Sequence, residues 1–335
     1  MVFIRKFVWA MVLISLGSIP VAAAGVTYKG TEGPGLGKHI VFVTGDEEYR
    51  SEEGMPQLAK ILAVHHGFTC TVLFSINRET GEIDPETLDN IPGLEVLEDA
   101  DLMVLFTRFR ELPDEQMKHI VDFANAGKPM IALRTATHPF NYIKNPDSPY
   151  AKYTWNNPTA EHKGGFGRQI LGETWVNHYG HHGVESTRGE IVPEAKDHPI
   201  VQGCEDIWGG TDVYGITTLT GDSQPLIQGI VLTGMKPDDL PHAEKTVKHP
   251  IAWIKTYTGE SGKASRIFTT TMGSSQDLLS EGLRRLLVNA AYWGVGMEDQ
   301  IPARSNVVIV GDYKPTPFGF SKHTRGLKPA DHALN

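Results

Sequence analysis

Two cysteines in 335 residues, Cys70 and Cys204, leave no material for a disulfide framework, an iron–sulfur cluster or a cysteine-rich zinc site. Positive charge is also in short supply. The 31 Lys and Arg face 40 Asp and Glu, a formal charge of −9. That balance argues against a general nucleic-acid binder, because a polyanion is held by clustered cations that release its counterions. After the first 25 residues no apolar run approaches the roughly 20 residues that a membrane-spanning helix takes. Internal repeats are missing as well. Glycine and proline are plentiful, 35 and 21, and mark a loop-rich chain. With 40% hydrophobic and 21% charged residues, the composition suits a packed globular protein of one large domain or two small ones.

The first residues read as an address. Arg5 and Lys6 precede the apolar run Phe7 to Leu16, then come Ser18, Pro20 and Ala22-Ala23-Ala24. A cationic start, a short apolar core and small residues for the peptidase are the order of a secretory signal. An uncleaved anchor from Phe7 to Gly25 is disfavoured by Ser18 and Pro20. The expectation is a signal peptide at 1–24 cleaved near Ala24, export to the periplasm or the extracellular space, and no stable membrane anchor. Loss of Arg5 and Lys6 would leave 29 basic residues against 40 acidic ones, a charge near −11. In an oxidising compartment Cys70 and Cys204 could pair, although Cys70 falls within a strand pattern and spacing does not decide the matter.

Downstream, strand and helix patterns alternate. His39 to Thr44 is a short apolar run ending at Gly45. A helix follows, with Ser51 as its expected N-cap, Glu52 and Glu53 at the positive end of the dipole, and Gly67 as its stop. Thr69 to Phe74, Leu102 to Phe106 and Met130 to Leu133 are further strands. A helix carrying Met117, Ile120, Val121 and Ala124 on one face precedes the last of them. This rhythm predicts a parallel sheet with right-handed crossovers, and such sheets bind ligands at the carboxyl ends of their strands. From His138 to about Gly183 the pattern dissolves into an irregular insert with one short helix at Phe166 to Leu171. A segment that long without clear elements is usually functional or a lid. Strand-like runs resume at Asp212 to Thr217, Pro225 to Leu232, Ile251 to Tyr257 and Arg266 to Thr271. A helix is expected from Gln276 to Trp293 with Leu279, Leu283, Leu286, Leu287 and Ala290 on its apolar face. Residues 298–335 read as an extended tail, packed on the domain or loosely held.

Several clusters could carry chemistry. Asp46-Glu47-Glu48-Tyr49-Arg50 follows the first of these strands at the ligand-binding edge. Its acids could hold hydroxyls or a cation or carry a proton, or simply solvate a loop into a helix. Arg108 and Arg110 follow one strand, and Arg134-Thr135-Ala136-Thr137-His138 follows the next. Such arginines can grip a carboxylate, a phosphate or vicinal hydroxyls, or brace the rim against the acids of 46–48. Thr135 occupies the place of a strand-to-helix nucleophile elbow, but the flanking glycines are missing and His138 is the only nearby base. His178, His181 and His182 form the densest histidine cluster. Acid–base or ligand-binding roles come first there, then metal, then plain surface; no metal set is assigned, because a closed site wants four ligands and H-E-x-x-H is absent. Gly164-Gly165-Phe166-Gly167-Arg168 opens a short helix whose N–H groups could face an anion. Trp155, Trp175, Trp208 and Tyr214 offer surface for stacking on sugar rings, or simply core.

The ordered set Gly45 to Arg50, Thr107 to Arg110, Leu133 to His138, Gly164 to Gly167, His178 to Gly183, Asp197-His198-Pro199-Ile200, Asp212-Val213-Tyr214-Gly215 and Thr271 to Ser274 resembles the ThuA-like (trehalose utilisation) family, most of all an exported planctomycete-type branch. The resemblance spans 38–297. It implies an α/β, flavodoxin-like, doubly wound and mostly parallel sheet like that of class I glutamine amidotransferases, with an irregular insert. It also implies a role in carbohydrate catabolism, on a keto-sugar or glycoside. The amidotransferase cysteine is absent, so glutaminase activity is not expected. Gly273-Ser274 replaces the Gly-His pair more typical of the family, and Arg134 stands where a histidine is usual. The resulting expectation is acid–base chemistry by His178, His181 and His182 on a small carbohydrate held by Asp46, Glu47, Glu48, Arg108, Arg134, Thr135, His138, Asp212 and Tyr214. No cofactor is identified. A non-catalytic saccharide-binding or scaffold protein, or a metal-dependent hydrolase using the 178–182 cluster, are the alternatives.

Overall fold

The computed structural model describes residues 24–216 and 218–334. The expected signal peptide therefore lies, except for Ala24, outside the described residues. The chain runs through β1 (Gly25–Lys29), β2 (His39–Gly45), α1 (Ser51–His66), β3 (Thr69–Leu73), β4 (Leu102–Thr107), α2 (Asp114–Asn125) and β5 (Met130–Leu133). After the insert come β6 (Thr187–Ile191), β7 (Trp208–Gly209), β8 (Gln224–Val231), β9 (His249–Thr258), β10 (Ala264–Thr270) and α3 (Glu281–Gly294).

These strands form one sheet of ten in the order β1-β3-β2-β4-β5-β10-β9-β8-β6-β7. Its centre, β3-β2-β4-β5-β10, is parallel throughout. Numbered by their own sequence, those five strands run 2-1-3-4-5, the flavodoxin-like order, with the switch point between β2 and β4. Antiparallel strands extend both edges: β1 on β3, and β9, β8, β6 and β7 beyond β10. Alternation along β2 sorts its side chains by face. Ile40 and Phe42 join the layer of α1 and α3, whereas Val41 and Val43 join that of α2. Both faces of the parallel centre are thus covered by helices, which is why its strands are apolar runs.

Local details depart from the expected elements. Ser51 does not cap α1 from outside; the cap is Arg50, in the left-handed region at φ 62°. The Ser51 hydroxyl instead turns back to accept from the N–H groups of Gly45 and Asp46, each at 3.2 Å. The helix expected over Gln276 to Trp293 is broken. A 3₁₀ turn covers Gln276–Leu279, and Ser280 caps α3 by accepting from the Leu283 N–H at 3.3 Å. Leu279, expected on the apolar face, is consequently 50% exposed. The run Asp212 to Thr217 is not a strand within its described residues; Tyr214 makes only an isolated bridge to His178. Cys70 and Cys204 are buried free thiols and do not pair. Among the described residues no helix is long and apolar enough to cross a membrane.

Candidate functional site

Three loops leave the carboxyl ends of β2, β4 and β5, and each contains a non-glycine residue in the left-handed region: Arg50 (φ 62°), Phe109 (φ 50°) and Arg134 (φ 45°). Such backbone is uncommon outside glycine and collects at functional sites, where surrounding contacts hold it. Arg134 directly follows β5, so the strained elbow position belongs to an arginine. Thr135, one residue later, is buried, and its hydroxyl donates to Asp46.

Arg134 is fully buried and both terminal nitrogens of its guanidinium are engaged internally. Nη1 donates to the carbonyls of Asp212 (2.7 Å) and Thr271 (2.8 Å), and Nη2 to the Tyr49 hydroxyl (3.0 Å) and Asp212 Oδ1 (2.7 Å). The rings of Tyr214 and Tyr49 lie 3.7 and 4.6 Å from its central carbon. These cation–π contacts, made together with four hydrogen bonds, suit a planar guanidinium better than an ammonium. Arg134 is therefore a brace, and the expectation that it holds substrate is corrected. Asp46 is likewise spent inside. It accepts from the N–H of Glu48 at 2.8 Å, from that of Tyr49 and from Thr135, which fixes the loop. Burial and neighbouring Glu47 push its carboxyl up to about 6, against the bonds it accepts.

Asp212 is the pivot of the site. Burial opposes its ionisation, but Arg134 and the bonds from His178 and His182 outweigh that and hold it well below the usual carboxylate range. His178 Nδ1 lies 2.7 Å from Oδ2. An ionised carboxylate can only accept, so Nδ1 carries a proton and Nε2 is the nitrogen left facing away from Asp212. His182 Nδ1 lies 3.1 Å from Oδ1, and its Nε2 lies 3.1 Å from Glu48 Oε1. With a carboxylate at each nitrogen, and burial opposing only in part, His182 is pushed up to about 9 and is an imidazolium at neutral pH. The two rings are 5.0 Å apart.

The insert delivers these histidines by pairing with the 212–216 segment. The Tyr179 and Gly180 N–H groups donate to the Val213 carbonyl at 2.9 and 3.0 Å, and the Gly215 N–H donates to Asn177 at 2.9 Å. Gly180 allows the close approach: a Cβ there would stand 3.0 Å from Asp212 Cβ and 3.1 Å from the Val213 nitrogen. Gly167 serves packing in the same way, since a Cβ would meet the Thr137 carbonyl. With Gly165 also set against backbone, the Gly164-to-Gly167 run is a packing device and the expected anion contact is not built there.

Aromatic groups ring this polar floor. Trp155 touches Trp175 (5.6 Å between centroids), Trp175 touches His178 (5.6 Å), and His182 touches Phe318 (5.3 Å). On the other side the Arg108 guanidinium lies 4.5 Å from the Phe109 ring and 4.9 Å from Phe320, and Phe109 returns to Trp155 at 5.6 Å. The two arcs meet at Trp155 and end on Phe318 and Phe320, two residues apart in the chain. His138 is buried beneath, against Phe109, Trp155, Trp175 and Tyr214. Burial, with Arg108 and Arg134 nearby, lowers its pKa well below the ordinary histidine value, so it is a neutral part of the floor.

Of the residues expected in the site, His178, His182, Glu48, Arg108, Asp212 and Tyr214 converge. Glu47 pairs with Arg108 and, at 2.6 Å, with fully buried Arg110, so it braces the β4 loop. His181 is exposed and stands apart: its N–H caps Glu185 at 2.6 Å, and no side-chain bond ties it to Asp212 or Glu48. The Asp-His-Pro-Ile step is structural, with His198 Nδ1 accepting from the Ile200 N–H at 3.2 Å. Trp208 bonds Ser186 at 3.1 Å, away from these rings. Tyr49, Phe109, Phe318 and Phe320 were not singled out by the sequence. Tyr49 sat within the acidic cluster, but nothing in the tail's pattern ties Phe318 to residue 49.

A family model described as "ThuA: Trehalose utilisation" matches residues 39–294. Among solved structures the chain is similar to a thua-like protein from Parabacteroides merdae, with 14% identity and a TM-score of 0.48 over 89% of this chain and 99% of that one. A thua-like protein from Bacteroides uniformis is similar at 13% identity and a TM-score of 0.46, over 78% of this chain and 92% of that one. No curated protein sequence matches significantly.

Proposed function

Because the chain belongs to the ThuA (trehalose utilisation) family, a carbohydrate-related role is its premise, and we propose that it acts on a keto-sugar or glycoside by paired histidine acid–base chemistry. The observation that carries this reading is the sharing of one buried carboxylate by two imidazoles, one of which also reaches Glu48 through its other nitrogen. His178, oriented by Asp212 through Nδ1, offers Nε2 as general base to a hydroxyl or to a carbon made acidic by a neighbouring carbonyl. His182, charged between Asp212 and Glu48, offers a proton to the oxygen on which negative charge develops. Arg108 holds a hydroxyl or carbonyl oxygen, and the surrounding rings exclude water. We further propose that the protein works after export, with cleavage near Ala24; the N-terminal residue of protein recovered from the producing cells tests that.

The chemistry is tested with a 3-keto-glycoside such as 3-ketotrehalose. Turnover by the wild type, its loss in His178→Ala and His182→Ala, and its retention in His181→Ala are the expected results. Saturable binding without product over long incubation would instead support a binding protein on the same fold. One observation favours a metal-assisted variant: ligand atoms of His178, His182 and Asp212 lie within 4.8 Å of one another, and three protein ligands are the number a catalytic zinc uses. The chemistry of the donor set fits poorly, because Arg134 already sits 2.7 Å from Asp212 Oδ1 and both imidazole Nδ1 atoms are turned to that carboxylate. Stoichiometric metal in purified protein, with turnover abolished by a chelator, would reverse that preference.

A further inference from the structure

The family match ends at residue 294, but the rim of the site does not. Without the tail, His182 and Arg108 are linked through the Glu48 carboxylate, at 3.1 and 3.5 Å, but by no aromatic ring. The segment Pro315–Phe320 adds a ring against each of them. It is anchored on both sides of α1's first turn: Thr316 donates from its N–H and its hydroxyl to the Glu53 carboxylate at 2.7 and 2.6 Å. The Gly319 N–H donates to the Glu48 carbonyl at 2.7 Å, and Arg50 donates to the Gly319 carbonyl. Thus fixed, Phe318 packs on Tyr49 (5.4 Å) and His182 (5.3 Å). Phe320 lays a face on the Arg108 guanidinium and remains 51% exposed.

We propose that Pro315–Phe320 is a working wall of the saccharide site, in which Phe320, on a segment anchored by Phe318, Thr316 and Gly319, determines which sugars bind. The inference rests on the reading of the site as one for carbohydrates and adds to it the residue that selects among them. A pyranose has hydroxylated edges and an apolar C–H face. The floor supplies hydrogen-bonding groups for the edges in Glu48, His178 and Arg108. The face needs a flat apolar partner, and binding sites combine such partners with a few placed polar groups. Phe320 is a large apolar side chain held open at this rim by a cation–π contact. Left solvent-exposed without a ligand, it costs the protein burial; placed over a sugar, that surface is covered.

Calorimetric titration with trehalose tests the proposal on the full chain. The wild type is expected to bind saturably. Phe320→Ala weakens binding roughly three- to tenfold, the size of one lost ring contact, and Phe320→Trp restores it. Phe318→Leu, which keeps apolar packing on Tyr49, weakens binding less. Val308→Ala, in the tail but away from the site, changes nothing. With a 3-keto disaccharide as substrate, Phe320→Ala raises KM at unchanged kcat, whereas His178→Ala lowers kcat. Wild-type affinity and KM in Phe320→Ala would overturn this inference alone and leave the site reading intact. A wild type that binds no saccharide would overturn the site reading, and this inference with it.

Discussion

Arg134 grips Asp212 from two directions, donating one nitrogen to its carboxylate and the other to its own backbone carbonyl, each at 2.7 Å. The arginine sits at the end of β5, and the aspartate lies on the segment that bridges to the insert. One side chain therefore couples the parallel sheet to the loop that carries the histidines.

Removing that side chain takes from the buried carboxylate its fully buried cation and leaves it the half-buried His182 imidazolium. Arg134→Met is expected to cost about 3–5 kcal/mol, the usual result of breaking a buried ion pair. Arg134→Lys recovers little, because an ammonium cannot reach two acceptors on Asp212 and lie flat between two tyrosines. Chemical denaturation followed by far-UV circular dichroism measures both. A loss below about 1 kcal/mol in Arg134→Met would show that the brace is dispensable.

His182 is expected to titrate near pH 9, well above an ordinary histidine, because Asp212 and Glu48 each bond one of its nitrogens. Its folded pKa is raised, so its stabilising contribution is complete below about pH 6.5 and is lost as pH rises through about 9. The stability difference between wild type and His182→Gln should shrink across that window. Nitrogen-15 NMR of the imidazoles checks the titration directly, and Glu48→Gln should move it downward.

Glu52 behaves in the opposite way to most carboxylates. It is buried in the first turn of α1, with neither carboxyl oxygen reaching a donor outside its own residue. Burial pushes it up to about 8, with Glu53 and Asp46 adding repulsion and Arg50 opposing. The folded state thus holds a proton that the unfolded chain releases at about 4.5. Stability from this group is complete below that value and falls as pH rises through about 8. Glu52→Gln should flatten the fall, giving a higher Tm than wild type at pH 8 and a similar one at pH 4. Equal melting curves at pH 8 would refute the buried neutral carboxyl.

Ser280 ends one short turn with its backbone N–H, donated to the Asp277 carbonyl at 3.0 Å, and starts α3 with its hydroxyl. Ser280→Ala should cost about 1 kcal/mol, as a lost N-cap does, and Ser280→Asp should cost little. Thermal melts of the two variants separate a cap from a packing effect.

The parallel centre was legible because strands buried on both faces must be apolar runs, and His39 to Thr44, Leu102 to Phe106 and Met130 to Leu133 all are. The gathering of Glu48, Arg108 and His178 at one strand edge was legible, because loops at the carboxyl ends of parallel strands converge there. It was not legible where identical residue types play different parts. Nothing in the composition of 46–50 shows that Asp46 is spent on backbone N–H groups while Glu48 faces His182. Nothing in the spacing of 178–182 shows that His181 turns away. Arg134 could brace or bind, and its burial with the bonds to Asp212, Thr271 and Tyr49 decides for the brace. The tail escaped for a different reason. Its role depends on contacts with residues far back in the chain, and no local period records them.

That separation has a kinetic consequence. Thr316 bonds to Glu53 across 263 positions, and Arg50 bonds to Gly319 across 269. Contacts between such distant positions close late in folding, because the loop entropy is lost before they form. The sheet and helices draw on nearer partners and can be native first. Refolding followed by far-UV circular dichroism should therefore reach its endpoint before the capacity to bind a ligand returns. A chain whose secondary structure is complete is not yet a chain with a closed site.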